Sequence, residues 1–275
     1  MKLGLFAINF GACADPTVQV RVARLAEEVG FESVWTGEHV AMPIHDNPVP
    51  IAPETPILDS IVALTNVAAH TRRLRIGTGI LVLPHHNPVV LAKALATLDL
   101  VSHGRLIAGF AGGYVQAEFA ALGVSFRDRG AITDESLAAI RALWTEELPR
   151  YAGRFAAFSD IRFEPKPRQR PHPPIIIGGT SAPALRRAAR YDGWYGFGQT
   201  VEQAAGIVRE LKRLRTEAGR ADEPFDISLT TFEKLTPELM AQAGAAGIDR
   251  MIYMPVVAPE RLEDTVRDIG TRFAA

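Results

Sequence analysis

Ser33-Val34-Trp35-Thr36-Gly37-Glu38-His39-Val40 opens as a buried strand and closes on two ionisable side chains. It follows the Val29-Gly30-Phe31 exit of an amphipathic helix, so the local order is helix, turn, apolar strand. Glu38 and His39 stand where the strand runs out, the end at which α/β enzymes hold their chemistry. Histidine moves protons near neutral pH, and an adjacent carboxylate adds a second ionisable group. The competing reading is a histidine that only hydrogen-bonds its own loop.

Outward from this stretch the same alternation repeats. Leu3 to Asn9 reads as a first strand, and Asp15-Pro16 as an N-cap with proline at the first helical position, ahead of an apolar face of Val18, Val22, Leu25, Ala26 and Val29. A proline-punctuated stretch, Met42 to Pro56, is too long for a simple connection and reads as a substrate-facing loop. A helix from Leu58 to about Ala69 leads to a third strand, Leu74 to Val82, continuous and apolar as a buried parallel strand should be. Gly77-Thr78-Gly79-Ile80 lies in its middle, which marks a bulge, a flat ligand close to the backbone, or a packing requirement.

His85 and His86 follow in a loop. Adjacent residues of extended chain point opposite ways and no zincin spacing accompanies them, so contact with substrate or cofactor is expected there and no metal. The fourth strand, Leu106 to Phe110, exits through Ala111-Gly112-Gly113-Tyr114, which brings Tyr114 to the expected rim beside glycines that let backbone approach a ligand. After a helix from Ala131 to Trp144, the stretch Leu148 to Pro174 changes texture and reads as an insertion outside the main fold, packed against its mouth. Ile175-Ile176-Ile177 is a fifth strand running into Gly178-Gly179-Thr180-Ser181, whose backbone N–H groups at a helix start form an anion cradle suited to phosphate. Strands at Asp192–Gly196, Phe225–Phe232 and Met251–Val256, each followed by a helix, complete eight. Eight alternating units in 275 residues predict one domain, a closed (β/α)₈ TIM barrel, with the insertion after the fourth helix.

Composition narrows the function. Thirty basic residues against thirty-one acidic ones, with no basic stripe, argue against nucleic acid or an anionic membrane and for a small-molecule substrate. A single cysteine, Cys13, excludes an intramolecular disulfide and fits a reducing cytoplasm. The start of the chain lacks a signal-peptide pattern and no apolar run approaches membrane-spanning length, so a soluble cytoplasmic protein is expected.

Several stretches, taken together and in order, resemble the luciferase-like flavin monooxygenase superfamily, with the branch of coenzyme F420-dependent oxidoreductases nearest. They are Lys2 to Phe6, Val34 to His39, Arg75 to Pro84, Asn87-Pro88, Ser102 to Leu106, Glu164 to Pro167 with Gly178-Gly179, and Ala189-Arg190 with Asp192 to Trp194. The resemblance implies coenzyme F420 as cofactor, or FMN as the alternative, backed by a non-prolyl cis peptide that falls on Gly79-Ile80. It also implies a phosphate loop on Gly178, Gly179 and Thr180 and a base or cofactor contact at His39, to which the glycine pair after the fourth strand adds Gly112 as a cofactor contact. Two departures stand out: Glu38 precedes the histidine where Asp is frequent, and Tyr114 occupies the place of the acid found in sugar-phosphate dehydrogenases. The expectation is therefore an enzyme using His39, Tyr114 and Glu38 to pass a hydride between F420 and a small organic molecule. An FMN-dependent monooxygenase is the alternative, a non-catalytic cofactor-binding protein the reading from another class, and a homodimer the expected assembly.

Overall fold

A computed structural model describes residues 1–274. In chain order its elements are β1 (Lys2–Leu5), α1 (Pro16–Glu28), β2 (Ser33–Thr36), α2 (Ser60–His70), β3 (Arg75–Thr78), β4 (Leu81–Val82), α3 (Pro88–Val101), β5 (Leu106–Ala111), α4 (Gln116–Ala121), α5 (Arg129–Thr145), β6 (Tyr151–Ala152), β7 (Ala157–Phe158), β8 (Ile175–Gly178), α6 (Ala182–Ala188), β9 (Gly193–Phe197), α7 (Val201–Glu217), β10 (Asp226–Thr230), α8 (Pro237–Ala245), β11 (Arg250–Tyr253) and α9 (Leu262–Phe273). The large sheet runs β3-β2-β1-β11-β10-β9-β8-β5, all parallel, and a β3–β5 pairing closes it into an eight-stranded barrel with β4 as the continuation of β3. Every barrel strand thus delivers its C-terminal end to one mouth.

Local chemistry starts and stops the elements. Asp15 caps α1 by accepting from Thr17 and Val18 N–H, Asp59 does the same for α2, and Asn87 for α3, with prolines at the first turns of α1 and α3. Inside the barrel Trp35 stacks on Tyr195 (5.6 Å between centroids, 12° between planes), in a cluster with Phe6, Ile107, Ile176 and Ile252. Gly77 exists for that tryptophan: a Cβ there would lie 2.4 Å from the Trp35 ring. Outward-facing Val34, Ile76, Leu106 and Ile175 meet the helices in the larger core.

The structure corrects three expectations. β1 ends at Leu5 rather than near Asn9, because the chain turns at Ala7 (φ 64°) and Asn9 is instead a buried tie between loops, bonded to Gly37 and to Leu58. The third strand is not continuous but breaks between Thr78 and Leu81, where the Gly79–Ile80 peptide is cis as the family resemblance implied. The stretch after α5 forms the β6–β7 hairpin, whose turn is held by Glu135 through the N–H groups of Arg154, Phe155 and Ala156. Its far end, however, reaches the N-terminal mouth, where Gln169 bonds Asp99 and the Leu106 carbonyl, because the chain must return there to begin β8. Among the described residues no helix is long and apolar enough to cross a membrane.

Candidate functional site at the C-terminal mouth

The loop after β2 carries Glu38 and His39 to the C-terminal mouth, and each finds a partner from another strand. Glu38 bridges outward from β2 to β4: its Oε2 accepts from the Val82 N–H at 2.6 Å and its Oε1 lies 2.8 Å from His86 Nε2. Burial alone would lower the His86 pKa, but the hydrogen bond and charge of Glu38 outweigh it and hold the imidazole above its ordinary value. The Glu38 carboxylate is therefore engaged in joining two strand ends.

His39 is paired with a residue that the sequence reading passed over. Glu118, 2 % exposed in the short α4, accepts from Val40 N–H (2.8 Å) and Ala41 N–H (3.4 Å), and lies 3.3 Å from His39 Nδ1. A carboxylate at Nδ1 fixes a tautomer with the proton on that nitrogen, which leaves Nε2 to take or give a proton. The signal available in sequence was only an acid four residues beyond Tyr114 in a six-residue helix with no readable period.

His85 sits between these pairs and differs from both. Its ring packs edge-on against Phe119 (4.7 Å), both ring nitrogens are buried, and neither has a hydrogen-bond partner among the described residues. Burial pushes its pKa down, towards a neutral imidazole, against the nearby charges of Glu118 and Glu38. Orphaned polar atoms in a mouth of this kind call for a partner supplied from outside the chain. Tyr114 reaches the rim as expected and is 58 % exposed, with burial and the Glu118 charge raising its pKa.

The residues assigned to the cofactor converge in part. A Cβ on Gly178 would stand 3.2 Å from Ile80 Cγ2 and 3.7 Å from Ala111 Cβ, so the break in the third strand, the exit of β5 and the end of β8 meet. Gly179 (φ +107°) turns the chain there, with Thr180 exposed and Ser181 capping α6 through Ala184 N–H. The Gly179 carbonyl accepts from Trp194 Nε1 at 2.9 Å, which fixes the loop's orientation. Gly112 belongs to a different neighbourhood, against Thr133 of α5. At the opposite end, a vestibule of about 470 Å³ is lined by Lys2, Arg75, Arg170, Asp192 and Asp226, a mixed-charge face of the kind that reads as stability in barrels.

Residues 1–266 match the model of the luciferase-like monooxygenase family. The chain belongs to that family. It is similar, at 32 % identity over 92 % of this chain and 91 % of the other, to an uncharacterised protein of Mycobacterium tuberculosis. It is also similar to the F420-dependent glucose-6-phosphate dehydrogenase of Amycolatopsis mediterranei (34 %, covering 74 % of this chain and 59 % of that protein) and the FMNH(2)-dependent dimethylsulfone monooxygenase of Pseudomonas putida (32 %, covering 77 % and 56 %). Among solved structures, a monooxygenase from Streptomyces bottropensis superposes with a TM-score of 0.80 at 25 % identity over 99 % of this chain and 98 % of that one. An F420-dependent secondary alcohol dehydrogenase shares the fold with the same TM-score at 16 % identity over 98 % and 99 %. Both F420-dependent and FMN-dependent enzymes thus stand among the relatives of this luciferase-like chain.

Proposed function

We propose that this chain is an oxidoreductase that passes a hydride between coenzyme F420 and a small organic substrate at the C-terminal mouth, with His39 as the proton-handling group. The observation that carries the reading is the His39–Glu118 pair at the same mouth as the Ile80–Gly178 contact. Residues present fit such a cofactor: Gly178 and Gly179 leave a cradle that a Cβ would fill, towards Ile80 and Ala184, and His85 offers ring nitrogens that no group among the described residues satisfies. When bound, the cofactor supplies the redox-active ring; the protein supplies orientation and proton handling. Ile80 would back the ring, Gly179 and Thr180 would hold phosphate, and Glu118 would keep His39 turned so that Nε2 exchanges a proton with the substrate oxygen. The FMN-dependent monooxygenase reading stays as the second, supported by the Pseudomonas relative and the Streptomyces structure.

Titrating the protein with F420 and, separately, with FMN tests the cofactor, the expected result being tight binding of F420. Replacing His39 by Ala is expected to leave the melting temperature within a few degrees and to lower turnover by roughly two to four orders of magnitude. Binding of neither cofactor would overturn the reading, and full turnover in the folded variant would remove His39 from the chemistry.

A further inference from the structure

The eight strand ends divide into two arcs of unlike character. β2, β3 with β4, β5 and β8 deliver Glu38, His39, His85, His86, Tyr114, Glu118 and the Gly178–Thr180 turn. The other arc, β9, β10, β11 and β1, delivers phenyl rings from the ends of β1, β9 and β10. Phe6 lies edge-on to Phe10 at 5.9 Å and tilted against Phe197 at 5.2 Å, and Phe197 meets Phe232 edge-on at 5.7 Å. The chain of rings begins beside the cofactor strand, since a Cβ on Gly79 would lie 3.4 Å from Phe6 Cε2. It ends in solvent, with Phe197 39 % and Phe232 58 % exposed. Phe197 stands on the same strand face as Tyr195, whose hydroxyl bonds Thr230 within the barrel, so it is the top layer of the interior column.

Resting on the oxidoreductase reading, we propose that the substrate body is apolar and aromatic, seated against Phe197 and Phe232 with buried Phe6 backing Phe197, and with one oxygen-bearing group turned to His39 across the mouth. Ligand sites take this form: a largely apolar lining that supplies affinity and a few polar groups that fix orientation. Edge-to-face rings held against one another are pre-organised to receive another ring. A sugar phosphate would instead lay hydroxyls on phenyl faces that offer them no hydrogen-bond partner, and burying such groups unpaired is costly. The arrangement selects against polar substrates by what it withholds.

The experiment uses 2-naphthol as probe, followed by its own fluorescence on the full-length protein without cofactor, with glucose 6-phosphate as competitor. Variants are Phe197→Ala, Phe232→Ala and, as an exposed apolar control on α3, Val90→Ala, and F420 and FMN titrations are run on every variant. The expected result is saturable 2-naphthol binding, weakened about five- to tenfold by each phenylalanine change, unaltered in Val90→Ala and undisturbed by glucose 6-phosphate. Phe232→Ala keeps the test decisive if Phe197→Ala fails to fold, since Phe232 is the more exposed ring. Unchanged binding in Phe232→Ala, equal loss in Val90→Ala, or displacement by glucose 6-phosphate would each overturn the proposal. Loss of F420 and FMN binding in the phenylalanine variants would overturn it too, by making the rings a cofactor wall. The expected naphthol pattern with no binding of either cofactor to the unaltered protein would sink the oxidoreductase reading and leave the aromatic-ligand site standing.

Discussion

Glu118 governs what His39 can do, because one buried carboxylate both seats the loop behind His39 and holds its ring. Replacing Glu118 by Ala strands the N–H groups of Val40 and Ala41 and frees the imidazole, so a loss of about 1–3 kcal/mol in urea unfolding is expected, with a fall in turnover. Glu118→Gln keeps an amide oxygen for Val40 but places no negative charge beside Nδ1. It is expected to restore most of the stability while turnover stays depressed, since with its oxygen on Val40 N–H the amide turns an NH2 towards Nδ1 and no longer fixes the tautomer that leaves Nε2 free. If Gln restores both, Glu118 acts on shape alone. Glu38 is placed differently: the Val82 N–H and His86 take up its two oxygens, so its position at the mouth serves to join β2 to β4. The adjacency of Glu38 and His39 was plain in the sequence, whereas their partners, 44 to 79 residues away along the chain, could not be read from spacing.

At the scale of elements, the break in the third strand is repaired by a side chain. Beyond Ile76 and Gly77 the backbone ladder from β3 to β5 stops, and Thr78 takes over: its Oγ1 donates to the Gly109 carbonyl at 2.8 Å and accepts from the Gly109 N–H at 2.7 Å. Gly109 has to be glycine for this, since a Cβ would sit 2.0 Å from the Thr78 carbonyl oxygen. Thr78→Val removes both bonds inside the barrel wall and leaves two buried backbone groups unpaired. A loss of about 2–4 kcal/mol is expected by denaturant unfolding, with Thr78→Ser close to the unaltered protein. A Val variant as stable as the original would show that water repairs the gap. Helix starts such as Asp15-Pro16 and Asn87-Pro88 were legible in the sequence because capping chemistry is local. Hydropathy reads straight through the strand break, because Thr78, Leu81 and Val82 are buried on both sides of it; the glycines of Gly77-Thr78-Gly79-Ile80 left a bulge among the readings, and the family resemblance placed the cis peptide at Gly79-Ile80.

For the whole molecule, the alternation of strand and helix was enough to give the barrel, but the charges that close its N-terminal end were invisible, being isolated letters at strand starts. Arg250, fully buried, reaches Glu32 with Nε (2.9 Å) and Nη2 (3.1 Å), and Asp226 (2.5 Å) and Ser228 (2.7 Å) with Nη1, tying β11 to β10 and to the start of β2. Burial alone would raise the pKa of Asp226 and of Glu32, but the charge of Arg250, aided by Ser228 and Lys2 at Asp226 and by Ser33 and Arg75 at Glu32, prevails and holds both below the ordinary carboxylate range. Groups with depressed folded-state values contribute stability above their unfolded values, and that contribution is lost as pH falls through the folded ones, in this case below about pH 4. Arg250→Ala removes the buried cation that both carboxylates share, leaving Asp226 with Lys2 and Glu32 with the nearby charge of Arg75, so a loss of about 3–5 kcal/mol at neutral pH is expected. The acid limb should then flatten, because Lys2 still faces Asp226 and Arg75 still acts on Glu32 while the Arg250 share of the depression is gone, so the variant should lose less stability than the unaltered protein on going from pH 7 towards pH 4. Cofactor and 2-naphthol affinity of the folded variant should be unchanged, since the network lies at the mouth opposite the site. Urea unfolding across that pH range, with ligand titrations alongside, decides it: a loss under 1 kcal/mol, or an unfolding midpoint that holds while ligand affinity falls, would show that the two ends of the barrel are not separate in what they do.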